Sequence, residues 1–423
     1  MIKVFKFGGA SVKDSAAVRN MTDIVRSYAK HSLVVVVSAM GKTTNAIERI
    51  HAARFEGKSY EEELSEIVRY HTQLTDELFG ENQTGKRALQ TQLDAFALAL
   101  KQPCTSNFDQ EYDTLIGFGE LISTAIIQAY FETAGVSSAW FDARKIILTD
   151  SRYRDARVNW EASLACIPPV QQALEANKVC VIQGFIGSNS EGHSTSLGRE
   201  GSDFTASIMA YLLDASDVTI WKDVPGMLNA DPKKFKDTVK LDRISFKEAI
   251  ELAYYGASVI HPKTIKPLQN KGIPLHIKSF LDPTASGSTI QESTENDHLI
   301  TSYILKENQT LFSIATRDFS FIVEDNLKEI FGILSELGIR IHLMENSAIS
   351  FSLVFDTDKL KQRLLIEKLR EQYSMKYNEQ LTLLTMRHGN EASLKNVLHN
   401  SETLIEQRTR HTVRMVIKTE LAI

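Results

Sequence analysis

Short β-branched strands alternate with helical patterns over residues 1 to about 300, and this alternation restricts the possible folds to a few. Predicted strands lie at 2–7, 33–38, 138–141, 179–185, 218–221 and 275–278. Helical patterns lie between them, at 15–29, 60–79, 115–133, 202–213 and 246–255. The strands are apolar at consecutive positions, which is typical of a sheet covered by helices on both faces. We therefore predict an α/β fold, arranged as a three-layer α/β sandwich.

Residues 282–298 are rich in Pro, Ser, Thr, Gly and Glu and are predicted to form a linker. The order of predicted strands and helices changes after this segment. Beyond it a smaller α+β pattern occurs twice, the second time in shortened form. Its predicted strands lie at 311–316, 340–345, 348–356, 381–386, 403–407 and 412–418, and its helices at 326–337, 358–372 and 391–398.

Composition argues against several classes of partner. The formal net charge is -5 and charges of one sign do not form long runs, which disfavours nucleic acid and anionic membranes. Apolar runs are too short for a bilayer, and the N-terminus reads as a strand rather than a signal peptide. The three cysteines are odd in number and lack metal-ligand spacing, which favours reduced thiols in the cytoplasm.

The first candidate phosphate-binding element follows the first predicted strand, at residues 6–12, KFGGASV. Adjacent glycines, Gly8 and Gly9, let backbone N–H groups approach an anion, and the start of the next helix adds partial positive charge. Lys6 is close enough to this turn to reach a transferring phosphoryl group. An ordinary strand-to-helix turn is the alternative.

Two further polar elements suit a small substrate. Residues 36–45, VVSAMGKTTN, imitate a P-loop, but Val36 stands where that motif needs a glycine. Their hydroxyls Ser38 and Thr44 suit a polar substrate or act as helix caps. Glu120 lies in an otherwise apolar helical pattern, so its carboxylate needs a cationic partner. That partner is a substrate ammonium or an internal salt bridge.

A glycine-flanked arginine occurs in residues 196–206, SLGREGSDFTA. The planar guanidinium of Arg199 matches a carboxylate with two hydrogen bonds, while Ser202 and Asp203 suit the start of a helix. An ordinary capped loop explains the cap residues but not the glycines around the arginine.

A last polar element, residues 220–233, IWKDVPGMLNADPK, follows a buried strand, where open α/β sheets bind ligands. Lys222 and Lys233 suit a polyphosphate, and Asp223 suits a ribose or an adenine. Taken alone, the segment is also compatible with a plain Pro-Gly turn.

Together these elements resemble the aspartate kinases of the amino-acid kinase family. Residues 6–12 are similar to that family's Lys-Phe-Gly-Gly-x-Ser-Val. Residues 195–206 are similar to its Thr-Leu-Gly-Arg-Gly-Gly-Ser-Asp-Thr-Thr-Ala, with Glu200 and Phe204 as departures.

Two more stretches extend the resemblance to about residue 280. Residues 221–232 resemble the family's Thr-Asp-Val-x-Gly…Asp-Pro, with Lys222 in place of the usual threonine. Residues 249–262, AIELAYYGASVIHP, match its Glu-Leu-Ala-x-x-Gly-Ala-x-Val-(Leu/Ile)-His-Pro. Ser258 stands where many members carry a lysine that helps to hold ATP.

The resemblance implies a domain organisation. An amino-acid kinase catalytic domain is expected at residues 1–282, followed by a linker at 283–300. Two ACT-like regulatory units are expected at 301–376 and, in shortened form, at 377–423.

The resemblance also implies site roles. ATP is assigned to Lys6, Gly8, Gly9, Ser11, Lys222, Asp223, Leu228 and Lys233. L-Aspartate is assigned to Ser38, Thr44, Glu120, Arg199, Gly201 and Ser202, with Glu120 on its ammonium and Arg199 on its α-carboxylate. Lys6 and Asp203 form the catalytic pair, in which Asp203 organises the lysines. Mg²⁺ is expected with ATP, and no protein ligand is assigned to it.

The implied activity is phosphorylation of the side-chain carboxylate of L-aspartate, the first step toward lysine, threonine and methionine. A carboxylate with a pKa of about 3.9 is ionised at neutral pH, so the reaction needs no general base. Positioning, lysines and Mg²⁺ carry the catalysis. The alternatives are a sibling kinase acting on glutamate, N-acetylglutamate or a nucleoside monophosphate, and a non-catalytic amino-acid sensor. Glu120, the His261-Pro262 segment and the ACT-like tail favour aspartate. Retention of Lys6, Arg199 and Asp203 argues against the sensor.

The ACT-like units imply a homodimer and feedback by lysine or threonine. In lysine-inhibited relatives, the strand that matches residues 341–349 offers acidic groups to the effector's ammonium. Here it reads IHLMENSAI, with His342 and Ala348 at the positions expected to hold carboxylates. We predict weak or absent inhibition by lysine, with dimerisation retained.

Overall fold

The computed structural model describes residues 1–257, 260–318, 320–398 and 401–418. The chain divides into two compact units. The first comprises Met1–Met227, Lys240–Ile250 and the described part of Ser258–Glu295. The second comprises Leu228–Val239, Glu251–Ala257 and the described part of Asn296–Ile423.

The first unit contains the α/β architecture. Its strands are β1 (Ile2–Phe7), β2 (Ser32–Val37), β3 (Ser138–Phe141), β4 (Val179–Gln183), β5 (Ile186–Ser188), β6 (Ser194–Ser196), β7 (Asp217–Lys222), β8 (Arg243–Ser245), β9 (Leu275–Ser279) and β10 (Ser288–Gln291). Its helices are α1 (Ser15–Ser27), α2 (Thr43–Phe55), α3 (Glu61–Phe79), α4 (Gln83–Lys101), α5 (Phe108–Ile116), α6 (Phe118–Thr133), α7 (Trp160–Ala165), α8 (Pro168–Glu175), α9 (Gly201–Leu212), α10 (Phe246–Tyr255) and α11 (Pro262–Lys271). The residues of α10 are divided between the two units. Short 3₁₀ turns lie at Gly9–Val12 and Ala143–Lys145.

Eight strands form one sheet in the order β3-β4-β2-β1-β7-β9-β10-β8. Neighbours are parallel except β9 and β10, which are antiparallel. Consecutive residues are buried along β1, β2, β4 and β7, so both faces of these strands are covered. The chain places β2 on one side of β1 and returns to place β7 on the other. This reversal of strand order is where open α/β sheets form a ligand crevice.

Local sequence signals explain where the helices begin and end. The Asp14 side chain accepts a hydrogen bond from the Ala17 backbone N–H at 2.8 Å and caps α1. Pro262 occupies the first turn of α11, and Gly272 follows the helix with φ +63°. Proline at the start and a left-handed glycine past the end are the expected boundary residues.

The predicted linker at 283–300 is wrong for four residues, because Ser288–Gln291 form β10. Ser288 and Ile290 are fully buried, and β10 pairs with β9 and β8. A polar, proline-containing composition therefore concealed a short strand whose alternate side chains face the core.

The second unit is built around a single antiparallel sheet with the order β12-β13-β11-β14-β16-β15. Its strands are β11 (Ser302–Thr316), β12 (Ile341–Asn346), β13 (Ser350–Asp356), β14 (Tyr373–Arg387), β15 (Glu402–Arg408) and β16 (Thr412–Lys418). Its helices are α12 (Glu324–Glu336), α13 (Lys359–Leu369) and α14 (Glu391–Leu398). Strands β11 and β14 have 15 residues each, and they pair with each other across both α+β repeats.

Apolar side chains attach the helices to this sheet. Ile330 and Leu334 of α12 and Leu365 and Leu369 of α13 pack with Phe312 of β11 in one core. Leu394 and Val397 of α14 belong to a second core with Met386 and Ile417. Each repeat thus buries its own helical face against a shared sheet.

One described stretch, Phe108–Thr133, is long and apolar enough by composition to cross a membrane. It consists of α5 and α6, and 78% of its most apolar window is buried inside the protein. Burial of this kind is typical of the core helices of globular proteins.

Candidate active site

The carboxyl ends of three neighbouring strands, β2, β1 and β7, bring predicted motifs together. In the parallel register Lys6 of β1 lies beside Val36 of β2 and Ile220 of β7. Ser38 therefore follows β2 at the same sheet edge at which Lys222 ends β7. The local turn also needs Gly9, because a Cβ atom there would lie 2.8 Å from the Ala39 carbonyl oxygen.

A cavity of about 490 Å³ opens at this edge, and we call it the Lys6 cavity. Its lining is Lys6, Ser38, Thr44, Tyr112, Glu120, Arg154, Phe185, Ser196, Gly198, Arg199, Glu200, Gly201, Ser202, Asp203 and Lys222. Nine of these were predicted as site residues: Lys6, Ser38, Thr44, Glu120, Arg199, Gly201, Ser202, Asp203 and Lys222. A larger depression of about 910 Å³ lies along α3, but none of the predicted residues lines it.

Asp203 sits between two lysines. Its Oδ1 is 2.6 Å from Lys6 Nζ, and its Oδ2 is 3.4 Å from Lys222 Nζ. Burial alone would raise the pKa of Asp203, but Lys6 and then Lys222 outweigh burial and hold that pKa below its usual value. The carboxylate is thus ionised and holds two ammonium groups side by side at the end of the sheet.

Glu120 lies in the first turn of α6 and is 3% exposed. Its Oε1 accepts a hydrogen bond from the Ala39 N–H at 3.2 Å. Its Oε2 is buried without a hydrogen-bond partner in the described part of the chain. Burial raises the pKa of Glu120 to about 8. Glu120 lines the cavity, and a buried carboxyl oxygen without a partner is suited to accept from a ligand cation.

Hydrogen bonds of two other α6 residues hold this helix beside the loop that follows β2. Ser123 Oγ donates to the Ser38 carbonyl at 2.8 Å. Thr124 Oγ1 accepts from Gln183 Nε2 at 2.7 Å and from Trp140 Nε1 at 2.9 Å. These bonds join α6 to β4 and β3 and so determine where Glu120 points.

The loop before α9 contributes one basic and one acidic residue, Arg199 and Glu200, to the lining of the cavity. Arg199 is exposed, and Glu200 immediately precedes α9 with φ +53°, in the left-handed region. Burial raises the pKa of Glu200, opposed chiefly by Lys222. Glu200 Oε2 has no hydrogen-bond partner among the described residues. Two of the departures from the family pattern, Glu200 and Lys222, therefore line the same cavity, whereas Phe204 does not.

The remaining predicted nucleotide residues do not line the Lys6 cavity. Gly8 and Gly9 form the turn after β1, and Ser11 Oγ donates to the Trp221 carbonyl at 3.4 Å. Asp223 is exposed just after β7. Leu228 and Lys233 belong to the second unit. Ser258 lies outside the described residues.

Sequence reasoning missed several residues that line or support the cavity. Tyr112, Arg154, Phe185 and Ser196 line it. Asp113 is fully buried behind it and accepts hydrogen bonds from the Arg154 and Ser196 backbones. Phe185 could have been suspected because it follows a buried strand, and Ser196 because it begins the motif at 196–206, but no local pattern marks Tyr112 or Arg154.

Comparison with known proteins identifies the family of this chain. The amino acid kinase family matches residues 1–279. Lysine-sensitive aspartokinase 3 of Escherichia coli is 34% identical over 412 residues, covering 93% of this chain and 88% of the relative. The chain belongs to the aspartokinases of the amino acid kinase family.

Other aspartokinases extend the similarity. Chloroplastic aspartokinase 1 of Arabidopsis thaliana is 32% identical over 97% of this chain and 73% of its own. The crystal structure of E. coli aspartokinase III with aspartate and ADP has a TM-score of 0.80 at 29% identity, covering 99% of this chain and 96% of that one. The predicted family and fold, an amino-acid-kinase α/β unit followed by antiparallel α+β units, are confirmed.

Proposed function

We propose that this aspartokinase transfers the γ-phosphoryl group of ATP to the side-chain carboxylate of L-aspartate, giving ADP and 4-phospho-L-aspartate. The observation that carries the proposal is that one cavity is lined both by a buried carboxyl group and by two lysine ammonium groups. Glu120 offers an unpaired buried oxygen, and the Lys6–Asp203–Lys222 array offers two ammonium groups. An amino acid that presents an ammonium and a carboxylate matches this arrangement.

Each end of the substrate has a partner. Glu120 accepts from the aspartate ammonium, and Arg199 binds the α-carboxylate through its planar fork. Ser38, Thr44, Gly201 and Ser202 surround the rest of the molecule. Ser202 in the first turn of α9 packs closely against Gly184, which follows β4. A Cβ atom at Gly184 would lie 2.4 Å from the Ser202 side chain, so this close packing depends on the glycine.

Lys6 and Lys222 meet the transferring phosphoryl group, and Asp203 sets the spacing of their ammonium groups. Gly8, Gly9 and Ser11 belong to the phosphate side, with Asp223, Leu228 and Lys233 assigned to the nucleotide. The transition state spreads negative charge over phosphoryl oxygens, so preorganised ammonium groups stabilise it more than the ground state. The acceptor carboxylate is already ionised, so the protein need not remove a proton.

Mg²⁺ is proposed to enter with ATP. The described residues contain no group of three His, Cys, Asp or Glu side chains arranged as a metal site. Asp203 is also committed to two lysines. This donor set suits an ion that takes most of its ligands from phosphates and water, as Mg²⁺ does in kinases. The ion would neutralise phosphate charge.

The biological setting is proposed from the same family membership. The reaction would be the first step toward lysine, threonine and methionine and would take place in the cytoplasm. Residues 301–376 and 377–423 would serve as ACT-like regulatory units, and the chain would form a homodimer through them.

The deciding experiment measures ATP consumption by the purified protein with L-aspartate, L-glutamate and N-acetyl-L-glutamate in parallel. We expect turnover with aspartate alone, and trapping by hydroxylamine should identify the acyl phosphate product. The Arg199→Ala variant should raise the KM for aspartate with little change in the KM for ATP. Preferred turnover of glutamate, or a shift in the ATP KM alone, would contradict the assigned substrate or its site.

A further inference from the structure

Three residues that line the Lys6 cavity hold a backbone conformation that disfavours side chains. In the described part of the chain, the non-glycine residues with positive φ are Arg154, Asn177, Phe185, Glu200, Asp214, Asn308, Gln380 and His388. Arg154, Phe185 and Glu200 all line the cavity. A left-handed residue with a Cβ atom costs conformational free energy, and such strain concentrates at functional sites. We therefore expect the side chains at these three positions to have a function that offsets the conformational cost.

At Arg154, with φ +65°, the backbone is held by a buried carboxylate. Asp113 is fully buried, and its Oδ2 accepts from the Arg154 N–H at 2.9 Å and from the Ser196 N–H at 2.8 Å. Its Oδ1 accepts from Ser196 Oγ at 2.5 Å. Asp113 thus ties the Arg154 turn to the strand that leads into the Arg199 loop.

The Arg154 side chain lies at the end of the cavity formed by α5. Its guanidinium carbon is 4.2 Å from the centroid of the Tyr112 ring, and Tyr112 also lines the cavity. Its Nη1 is 3.3 Å from Asp109 Oδ1. Tyr112 OH in turn donates to Glu48 Oε1 at 2.9 Å, which fixes the ring under the guanidinium.

The ion pair with Asp109 does not account for an arginine at this position. Both side chains are about half exposed, at 45% and 54%, and an exposed pair of this kind contributes little. Glycine would adopt the same backbone conformation without strain. A guanidinium stacked on an aromatic ring, by contrast, remains free to present its fork to a carboxylate.

We propose that Arg154 is a second carboxylate-binding residue for the amino-acid substrate, acting with Arg199 on the α-carboxylate. This inference rests on the proposed function. L-Aspartate is dianionic in its carboxylates, and its acceptor carboxylate must face the lysine array. The α-carboxylate is then directed to the arginine end of the cavity, where Arg154 exchanges its contact with Asp109 for the substrate.

Two variants of Arg154 separate charge from backbone strain. Arg154→Gly removes both, whereas Arg154→Gln removes the charge and keeps the Cβ atom. Each should raise the KM for L-aspartate about tenfold, the expected effect of losing a hydrogen bond to a charged group. The kcat and the KM for ATP should stay within about twofold, because the lysine array is untouched. The inhibition constant of L-aspartate α-amide, which lacks the α-carboxylate charge, should not change.

Two matched controls test the same perturbations elsewhere. Asn177→Gly relieves a left-handed, exposed position outside the cavity, and Arg152→Gln removes an exposed arginine two residues away. Neither should alter the KM for aspartate. Melting curves of all four variants establish that each is folded.

The outcomes separate this inference from the proposed function. A wild-type protein without aspartate-dependent ATP consumption defeats the proposed function itself. An active wild type whose Arg154 variants keep the wild-type KM for aspartate defeats only the role of Arg154. Equal losses for aspartate and for the α-amide would also overturn it, because they would indicate a general distortion of the cavity.

Discussion

If Glu120 binds the aspartate ammonium as proposed, its buried carboxyl should make aspartate binding dependent on pH. Below its pKa of about 8 the group is mainly protonated and cannot pair with an ammonium, so binding must expel the proton. Affinity therefore rises with pH until Glu120 is ionised. With the dissociation constant proportional to 1 + 10^(pKa − pH), the KM for aspartate should fall about fifty-fold from pH 6 to pH 8.

Calorimetry measures the proton directly. At pH 7 each bound aspartate should release close to one proton, which appears as a binding enthalpy that varies with the ionisation enthalpy of the buffer. The Glu120→Gln variant preserves shape but has no proton to lose, so its weaker binding should be independent of pH over the same range. A wild-type KM that is flat from pH 6 to pH 8, or equal slopes in both proteins, would refute the reasoning.

Three further predictions concern the phosphoryl end of the site and regulation. Lys6→Ala should lower kcat about a hundredfold or more with a smaller change in KM, since a charge aimed at the transition state is lost; near-normal kcat in the folded variant would contradict the assignment. Glu200→Gly should raise the free energy of unfolding by about 0.5–1 kcal/mol through relief of its φ of +53°. The same variant should lower the KM for ATP because a carboxylate is removed near the phosphates, and an increased KM would show that Glu200 assists binding. Lysine should inhibit weakly or not at all, although the E. coli relative is named lysine-sensitive. His342 and Ala348 stand where carboxylates are expected for the effector's ammonium, and His342 itself contacts Asp356 and Lys306 at 3.1 Å each. Half-inhibition at sub-millimolar lysine in a dose–response assay would prove this wrong.

Local patterns in the sequence predicted the main strands well. Ile2–Phe7, Ser138–Phe141 and Thr412–Lys418 have the predicted bounds, and α10 does as well. These segments carry a strong period or a continuous apolar run, and the signal comes from the segment itself. The weak signals failed, as in β10 and in the first half of β11, where the predicted strand began only at residue 311. Short or partly polar strands depend on a partner that the local sequence does not reveal.

The candidate site likewise contains residues that local sequence patterns predicted and residues that they did not. Glycine turns, lysines at strand ends and an arginine between glycines are local features, and together with the family resemblance they led to nine predicted residues that line the Lys6 cavity. Asp113 and Arg154 have no such feature. Asp113 acquires its role from Ser196, which is 83 residues away in the chain. Their importance follows from burial and from neighbours supplied by other elements.

The types of elements, their order and the chemical groups at the strand ends could be read from the amino-acid sequence, because these depend on residues close together in the chain. Which groups meet, and whether water surrounds them, depends on the packing of distant segments. Lys6 and Asp203 become partners because α9 packs against β1, and Lys222 joins them because β7 is the parallel neighbour of β1. Glu120 became a carboxyl with a raised pKa because the surrounding elements exclude water from it. Burial and long-range pairing are properties of the packed chain, and they convert an ordinary set of charged residues into a site.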